Sequence, residues 1–256
     1  TPIVRNKGLD LYEQRKDKHE YVITVDVARG TAQDYSAFCI FDITEFPYRL
    51  VGKYRNNEIK PILFPNVIYD TARNYNNANI MIEVNDIGDQ VASILQFDLE
   101  YPNLLMCAMR GRAGQVMGSG FSGGKAQLGV KMSKTVKKQG CSNLKALIEE
   151  DKLLINDYDT IAELTTFVQK KDSFEADEGY HDDLVMCHVI FSWMVLQDFF
   201  REMTDQDVRK RIYEENKNLM EQDMAPFGFI VSSDEEETIV DKDGNVWNVD
   251  EYGTKQ

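Results

Sequence analysis

Three apolar runs, 20–27, 36–43 and 48–55, follow one another over connections too short to hold a crossover helix. Parallel pairing needs a crossover of a dozen or more residues, so these runs are expected to lie side by side as an antiparallel meander, with Pro47 in its second turn. The first run, "YVITVD", carries a carboxylate, Asp26, where a buried strand should be apolar. An unpaired charge is costly to bury. Asp26 must therefore meet a fixed partner such as a cation, or stand where the strand opens into a site.

After the meander the pattern changes. Residues 65–78 have helical periodicity, "NIMIEV" (79–84) reads as a strand, 88–97 as a helix and 103–109 as another strand. Strand–helix–strand units imply parallel pairing. The glycine-rich stretch 111–129 is expected to be a mobile loop. It is no phosphate-binding loop: the gap from Gly118 to Gly123 is right, but Gly124 stands where Lys is needed and Ala126 follows Lys125. Residues 133–155 read as a basic helical segment with a break near Gly140, a renewed start at Ser142 and a strand at 152–155. A helix over 159–171 has Asp159 as its N-cap and Glu163 in its first turn. The helix over 181–203 is apolar nearly all round and should be buried. A charged helix follows from about Asp205 to Glu221. The Asp-Gly pair within 238–253 signals a hairpin, and its "DKDGN" lacks the spacing of a calcium loop. Three regions result: a polar lead-in at 1–19, an α/β domain at 20–224, and an acidic segment at 225–256.

A chain of 256 residues, 43% of them hydrophobic, can bury one large core. The apolar stretch 184–196 is too short to span a bilayer. The polar opening has no signal-peptide character and no initiator Met, so the chain is expected to be a piece of a longer protein. Four scattered cysteines read as free thiols in a reducing compartment, and three histidines without ligand spacing argue against zinc. Net charge is −14, but it is divided unevenly. From Asn103 to Ile148 there is no acid and a charge of +8; from Asp172 onward 22 acids face 7 bases. A basic middle in an acidic chain points to a polyanion-binding face. The alternative is a solvated loop with a surplus of lysine.

Three apolar elements carry acids at an end: Asp26 on its strand, Glu83 at the end of "NIMIE", and the Asp182–Asp183 pair opening the buried helix. Each has an ordinary structural reading, as a turn acid, a lysine partner or a helix cap. Together they suggest a cluster, because sites form at the carboxyl ends of strands in open sheets. Clustered carboxylates repel one another, and hard divalent cations such as Mg²⁺ or Mn²⁺ relieve that repulsion.

The order strand-Asp ("VITVDVARG"), meander, helix, strand-Glu ("IMIEVND") and late helix ("DEGYHDDLVM", 177–186) resembles the nuclease domain of phage large terminases, especially those of T-even-like phages. "QGCSNLKALIEEDKLLI" (139–155) resembles the same group. The resemblance implies a ribonuclease H-like fold, a mixed sheet flanked by helices. It implies an endonuclease that cuts concatemeric double-stranded DNA with two metal ions. The implied triad is Asp26, Glu83 and Asp183, with Asp182 beside it; either Asp of the pair fits the third position, and Asp183 is favoured. Asp26 would bridge the metals, with Glu83 on one and Asp183 on the other. Arg29, Lys131, Lys134, Lys137 and Lys138 are candidate DNA contacts, and His181 a possible auxiliary that is otherwise structural. The implied partners are DNA, an ATPase domain of the same longer chain, the portal and the small terminase subunit, in the host cytoplasm. The rivals are another ribonuclease H-like enzyme such as a junction resolvase, and a non-catalytic docking module.

Overall fold

The computed structural model describes residues 1–28, 34–85, 87–111, 114–118, 126–170, 173–205, 238–240 and 246–248. The chain forms two compact units, Thr1–Lys210 and Arg211–Gln256. In the first, strands β1 (Val4–Asn6), β2 (Leu9–Leu11), β3 (Tyr21–Asp26), β4 (Ser36–Asp42), β5 (Tyr48–Asn56) and β6 (Asn79–Ile82) make a mixed sheet in the order β1-β2-β5-β4-β3-β6. The meander is as expected: β3 and β5 flank β4, both antiparallel to it. After helix α1 (Phe64–Asn74), β6 returns parallel to β3, with Val25 beside Ile82. Part of the polar lead-in joins the sheet, because β2 pairs with β5 through Asp10 opposite Lys53. Leu9 and Leu11 pack against the core on one face, while buried Asp10 on the other takes Arg5 at 2.9 Å and Lys53 at 3.9 Å.

The sheet is covered on both faces. Val22 and Met81 point into one core layer with helices α3 (Lys134–Glu149) and α5 (Asp183–Val195). Ile23, Val25, Ile80 and Ile82 point into the other, with α1 and α2 (Gly88–Ser93), which runs on as a π-helical turn at Ile94–Asp98. Alternate residues of a strand face opposite ways, so both layers are set by the same strands.

Several expectations are corrected. The strand at 103–109 touches the main sheet through a lone parallel bridge, Leu104 to Ile80. Its regular part, β7 (Met106–Met109), joins a separate antiparallel sheet with β8 (Gln115–Gly118) and β9 (Ala126–Leu128). The glycine-rich stretch thus contains two short strands, both paired with β7 just before it. Helix α3 runs through Gly140 without a break. A Cβ at Gly140 would lie 2.5 Å from the Val189 carbonyl oxygen, so glycine lets α3 sit against α5. Strand β10 (Leu153–Leu154) is parallel to β5. Helix α4 (Tyr158–Thr166) is capped by Asp157, which accepts from Thr160 N at 2.7 Å, and Asp159 falls in its first turn. It ends at Thr166, where Phe167 and Val168 favour extended backbone. A hairpin, β11 (Phe167–Lys170) with β12 (Ser173–Ala176), replaces the last part of the expected helix. The long helix over 181–203 is two helices, α5 and α6 (Asp198–Asp205), bent by 77°.

All four cysteines are free. Among the described residues no single helix is long and apolar enough to cross a membrane. In the second unit, β13 (Thr238–Val240) pairs antiparallel with β14 (Val246–Asn248), as the hairpin signal predicts. The turn between them, and the expected helix beyond Asp205, lie outside the described residues.

Candidate metal centre

Strands β3 and β6 bring Asp26 and Glu83 together. Glu83 N donates to the Val25 carbonyl at 2.9 Å, so Glu83 stands beside Asp26 just past the sheet's carboxyl edge. The two-residue period puts Asp26 on the face of Thr24, whose hydroxyl donates to the Cys187 carbonyl of α5 at 2.9 Å. It likewise puts Glu83 on the face of Met81, in the layer of α3 and α5. Gly88 allows α2 to begin against the same turn, since a Cβ there would lie 1.9 Å from the Glu83 carbonyl oxygen.

Helix α5 brings the third acidic position. A cleft of about 370 Å³ is lined by Asp26, Glu83 and Asp182, with Ser133, Lys134 and Lys137 from the start of α3 and Ser173 from β12. Asp183 is buried behind this wall. Its Oδ1 accepts from Tyr35 N at 3.3 Å, while Oδ2 has no hydrogen-bond partner and lies 3.9 Å from Arg55 and 3.8 Å from His181. The His181 ring meets Tyr35 edge-on at 5.0 Å.

The electrostatics are those of crowded acids. Burial, then the charges of Glu83, Asp183 and Asp182, push the Asp26 carboxyl well above its ordinary range. Burial raises Glu83 to about 7, with Lys137 opposing and Asp182 adding to the rise. Burial also raises Asp183 to about 6, against the pull of Arg55 and His181. The Asp182 charge therefore adds to the rise of Asp26, Glu83 and Asp183 alike, and Asp183 adds to that of Asp26.

This donor set suits a hard cation: every group is a carboxylate, the charges repel, and one buried oxygen lacks a partner. Among the described residues no three His, Cys, Asp or Glu side chains enclose a single point. The carboxylates line the cleft without closing on it.

The candidate cations divide. Lys134 and Lys137 line the cleft, and the Lys137 ammonium also stands 5.9 Å from the Phe167 ring. Lys131 lines the adjoining hollow, which shares Glu83 and Met132 with the cleft. Gln115 grips the Lys131 backbone, accepting from its N at 2.9 Å and donating to its O at 2.6 Å. Lys138 is exposed on α3 and lines neither. Arg29 lies outside the described residues. Sequence reasoning assigned no site role to Arg55 and Tyr35, and saw Glu163 only as a first-turn residue. Their places depend on packing between distant segments, and nothing local marks them.

A family model described as the terminase RNaseH-like domain matches residues 23–193. Among solved structures, the large terminase nuclease of thermophilic phage G20c with bound magnesium matches with TM-score 0.56 at 22% identity, over 75% of this chain and 89% of that one. The same nuclease with bound cobalt gives 0.55 and 23%, over 75% and 89%. The large terminase nuclease domain of Thermus phage P74-26 gives 0.53 and 21%, over 74% and 86%. At such identities the likeness carries the fold. The family match spans β3, β6 and the start of α5, with all four acids, and by it the chain belongs to the terminase RNaseH-like domain family.

Proposed function

We propose that this chain is the nuclease part of a phage large terminase, a divalent-metal-dependent endonuclease that cuts concatemeric double-stranded DNA during packaging. The observation that carries the reading is one cleft lined both by carboxylates and by Lys134 and Lys137. A phosphodiester with its counter-ions needs both: oxygen donors for metal and cations for phosphate. On this reading Asp26, Glu83 and the Asp182–Asp183 pair would hold the metal, with Asp26 as the shared ligand. Bound Mg²⁺ or Mn²⁺, two ions on this reading, would supply an activated water and neutralise charge at the leaving oxygen. Lys134 and Lys137 hold the backbone without reading bases, which suits an enzyme indifferent to sequence. His181, 3.8 Å from Asp183, is an auxiliary of the site. In the T-even-like setting that "DEGYHDDLVM" suggests, the chain works in the host cytoplasm beside an ATPase domain, the portal and the small subunit.

The test is nicking of supercoiled plasmid with and without Mg²⁺. Wild type should nick only with metal and turn unrelated plasmids into smears. No nicking in Mg²⁺ or Mn²⁺ would overturn the reading in favour of a docking module. Discrete bands at limiting enzyme would favour a site- or junction-specific nuclease.

A further inference from the structure

The first turn of α5 has an unusual cap. Asp182 occupies the N-cap position, yet its side chain makes no capping bond. A helix start leaves several backbone N–H groups unpaired, and an N-cap side chain normally takes those of the second and third residues. Here those residues are Leu184 and Val185. Both N–H groups instead donate to Glu163 Oε2, a residue of α4, at 2.8 and 3.1 Å. Glu163 is buried, and its Oε1 lies 3.2 Å from the Arg55 guanidinium, which also faces Asp183. The far end of α4 is fixed as well. Its N-cap Asp157 accepts from Thr160 N and from the Tyr12 hydroxyl, and lies 3.0 Å from Lys53 Nζ.

We propose that Glu163 is a positioning residue for the carboxylate pair: by capping α5 in place of Asp182, it leaves the Asp182 carboxylate, whose Oδ2 accepts from Ala176 N at 3.2 Å, to line the cleft. This rests on the metal reading above. Without Glu163, the vacant N–H groups of Leu184 and Val185 would draw the Asp182 side chain back into the ordinary cap. The cleft would then lose one of its acids while the fold remained. Arg55 complements the arrangement by holding Glu163 and Asp183 with one planar group.

Two conservative variants separate reach from charge. Glu163→Gln keeps the length and an acceptor oxygen but removes the charge. Glu163→Asp keeps the charge but falls one methylene short of the two N–H groups. Mn²⁺ binding by titration calorimetry should weaken roughly 10- to 100-fold in Glu163→Asp, as for other residues that orient metal ligands, and by less than tenfold in Glu163→Gln. Amide hydrogen exchange at Leu184 and Val185 should quicken in Glu163→Asp and stay near wild type in Glu163→Gln. The reverse order, or equal effects, would overturn capping as the role, pointing to charge or to mere bulk. If wild type binds no Mn²⁺, the metal reading falls, and exchange at Leu184 and Val185 alone decides whether Glu163 caps α5.

Discussion

Strands β3 and β4 both end in aspartate, and because they are antiparallel, Asp26 and Asp42 stand at opposite ends of one sheet. In sequence they look alike: "VITVD" and "CIFD" are each apolar runs closed by an acid. Their surroundings are opposite. Asp42 Oδ2 meets His19 Nδ1 and an Arg49 nitrogen, each at 2.7 Å, and Oδ1 accepts from Thr44 N at 3.1 Å. Burial alone would raise its carboxyl, but hydrogen bonds from Thr44 and His19 outweigh that and hold it below the ordinary value. Among the described residues Asp26 has no hydrogen-bonded cation; burial and the neighbouring acids outweigh the pull of Lys137 across the cleft, and its carboxyl goes the other way. A buried acid whose partners are built in is part of the frame. One left facing its own kind is prepared for a partner that arrives from solution.

The comparison is broken most directly at Asp26. Asp26→Asn should reduce Mg²⁺-dependent nicking to background while leaving the fold intact. In metal-free buffer its melting temperature should hold or rise, because repulsion is removed. Wild-type nicking by this variant would sink the assignment. Single Asp182→Asn and Asp183→Asn variants rank the pair, and mild, equal effects would mean that neither is a ligand.

The opposite end should respond in stability alone. Asp42→Ala leaves His19 without this acceptor and Arg49 with Glu13 alone, and hydrogen bonds to charged groups are each worth about 1.5–3 kcal/mol. A urea melt should show a loss of that order, with nicking by the folded protein unchanged. A silent melt would mean that the ends do not differ as argued.

The pH dependence should also be opposite in sign. Glu83 is raised to about 7, so in metal-free protein the folded state holds a proton that the unfolded chain has already released. Stability from this end is full below the ordinary carboxylate range and is lost as pH rises through about 7. Asp42, being lowered, contributes above that range and loses its contribution as pH falls through its folded value. Melting of Asp42→Ala, which isolates the site end, should fall from pH 5 to 7.5, and Mn²⁺ should restore it more at the higher pH. A flat profile without metal would remove the contrast.

The smallest effect separates neighbouring lysines. Lys137→Ala should flatten the salt dependence of duplex binding in Ca²⁺ by roughly 0.9 in log–log slope, the value for one phosphate contact. Lys138→Ala, outside the cleft, should change it less. Equal slopes would place DNA elsewhere.

The sequence by itself determined the meander, through connections too short for any other pairing. It also placed Asp26 and Glu83 at the carboxyl ends of two strands, the edge where open sheets form sites. It marked the basic start of α3 through the absence of acids. Tertiary structure decided the rest. Gly140 reads locally as a helix breaker and is instead a contact point, since only the approach of Val189 gives it meaning. Asp182 reads as a cap and is freed from capping by Glu163, 19 residues away in sequence. Asp42 and Asp26 cannot be told apart until His19 and Arg49 arrive beside one and Glu83, Asp182 and Asp183 beside the other. Periodicity is a property of the local backbone, and so is legible in a string of residues. The charge state of a buried acid depends on which distant groups the fold places within a few ångströms of it, and no local pattern encodes that.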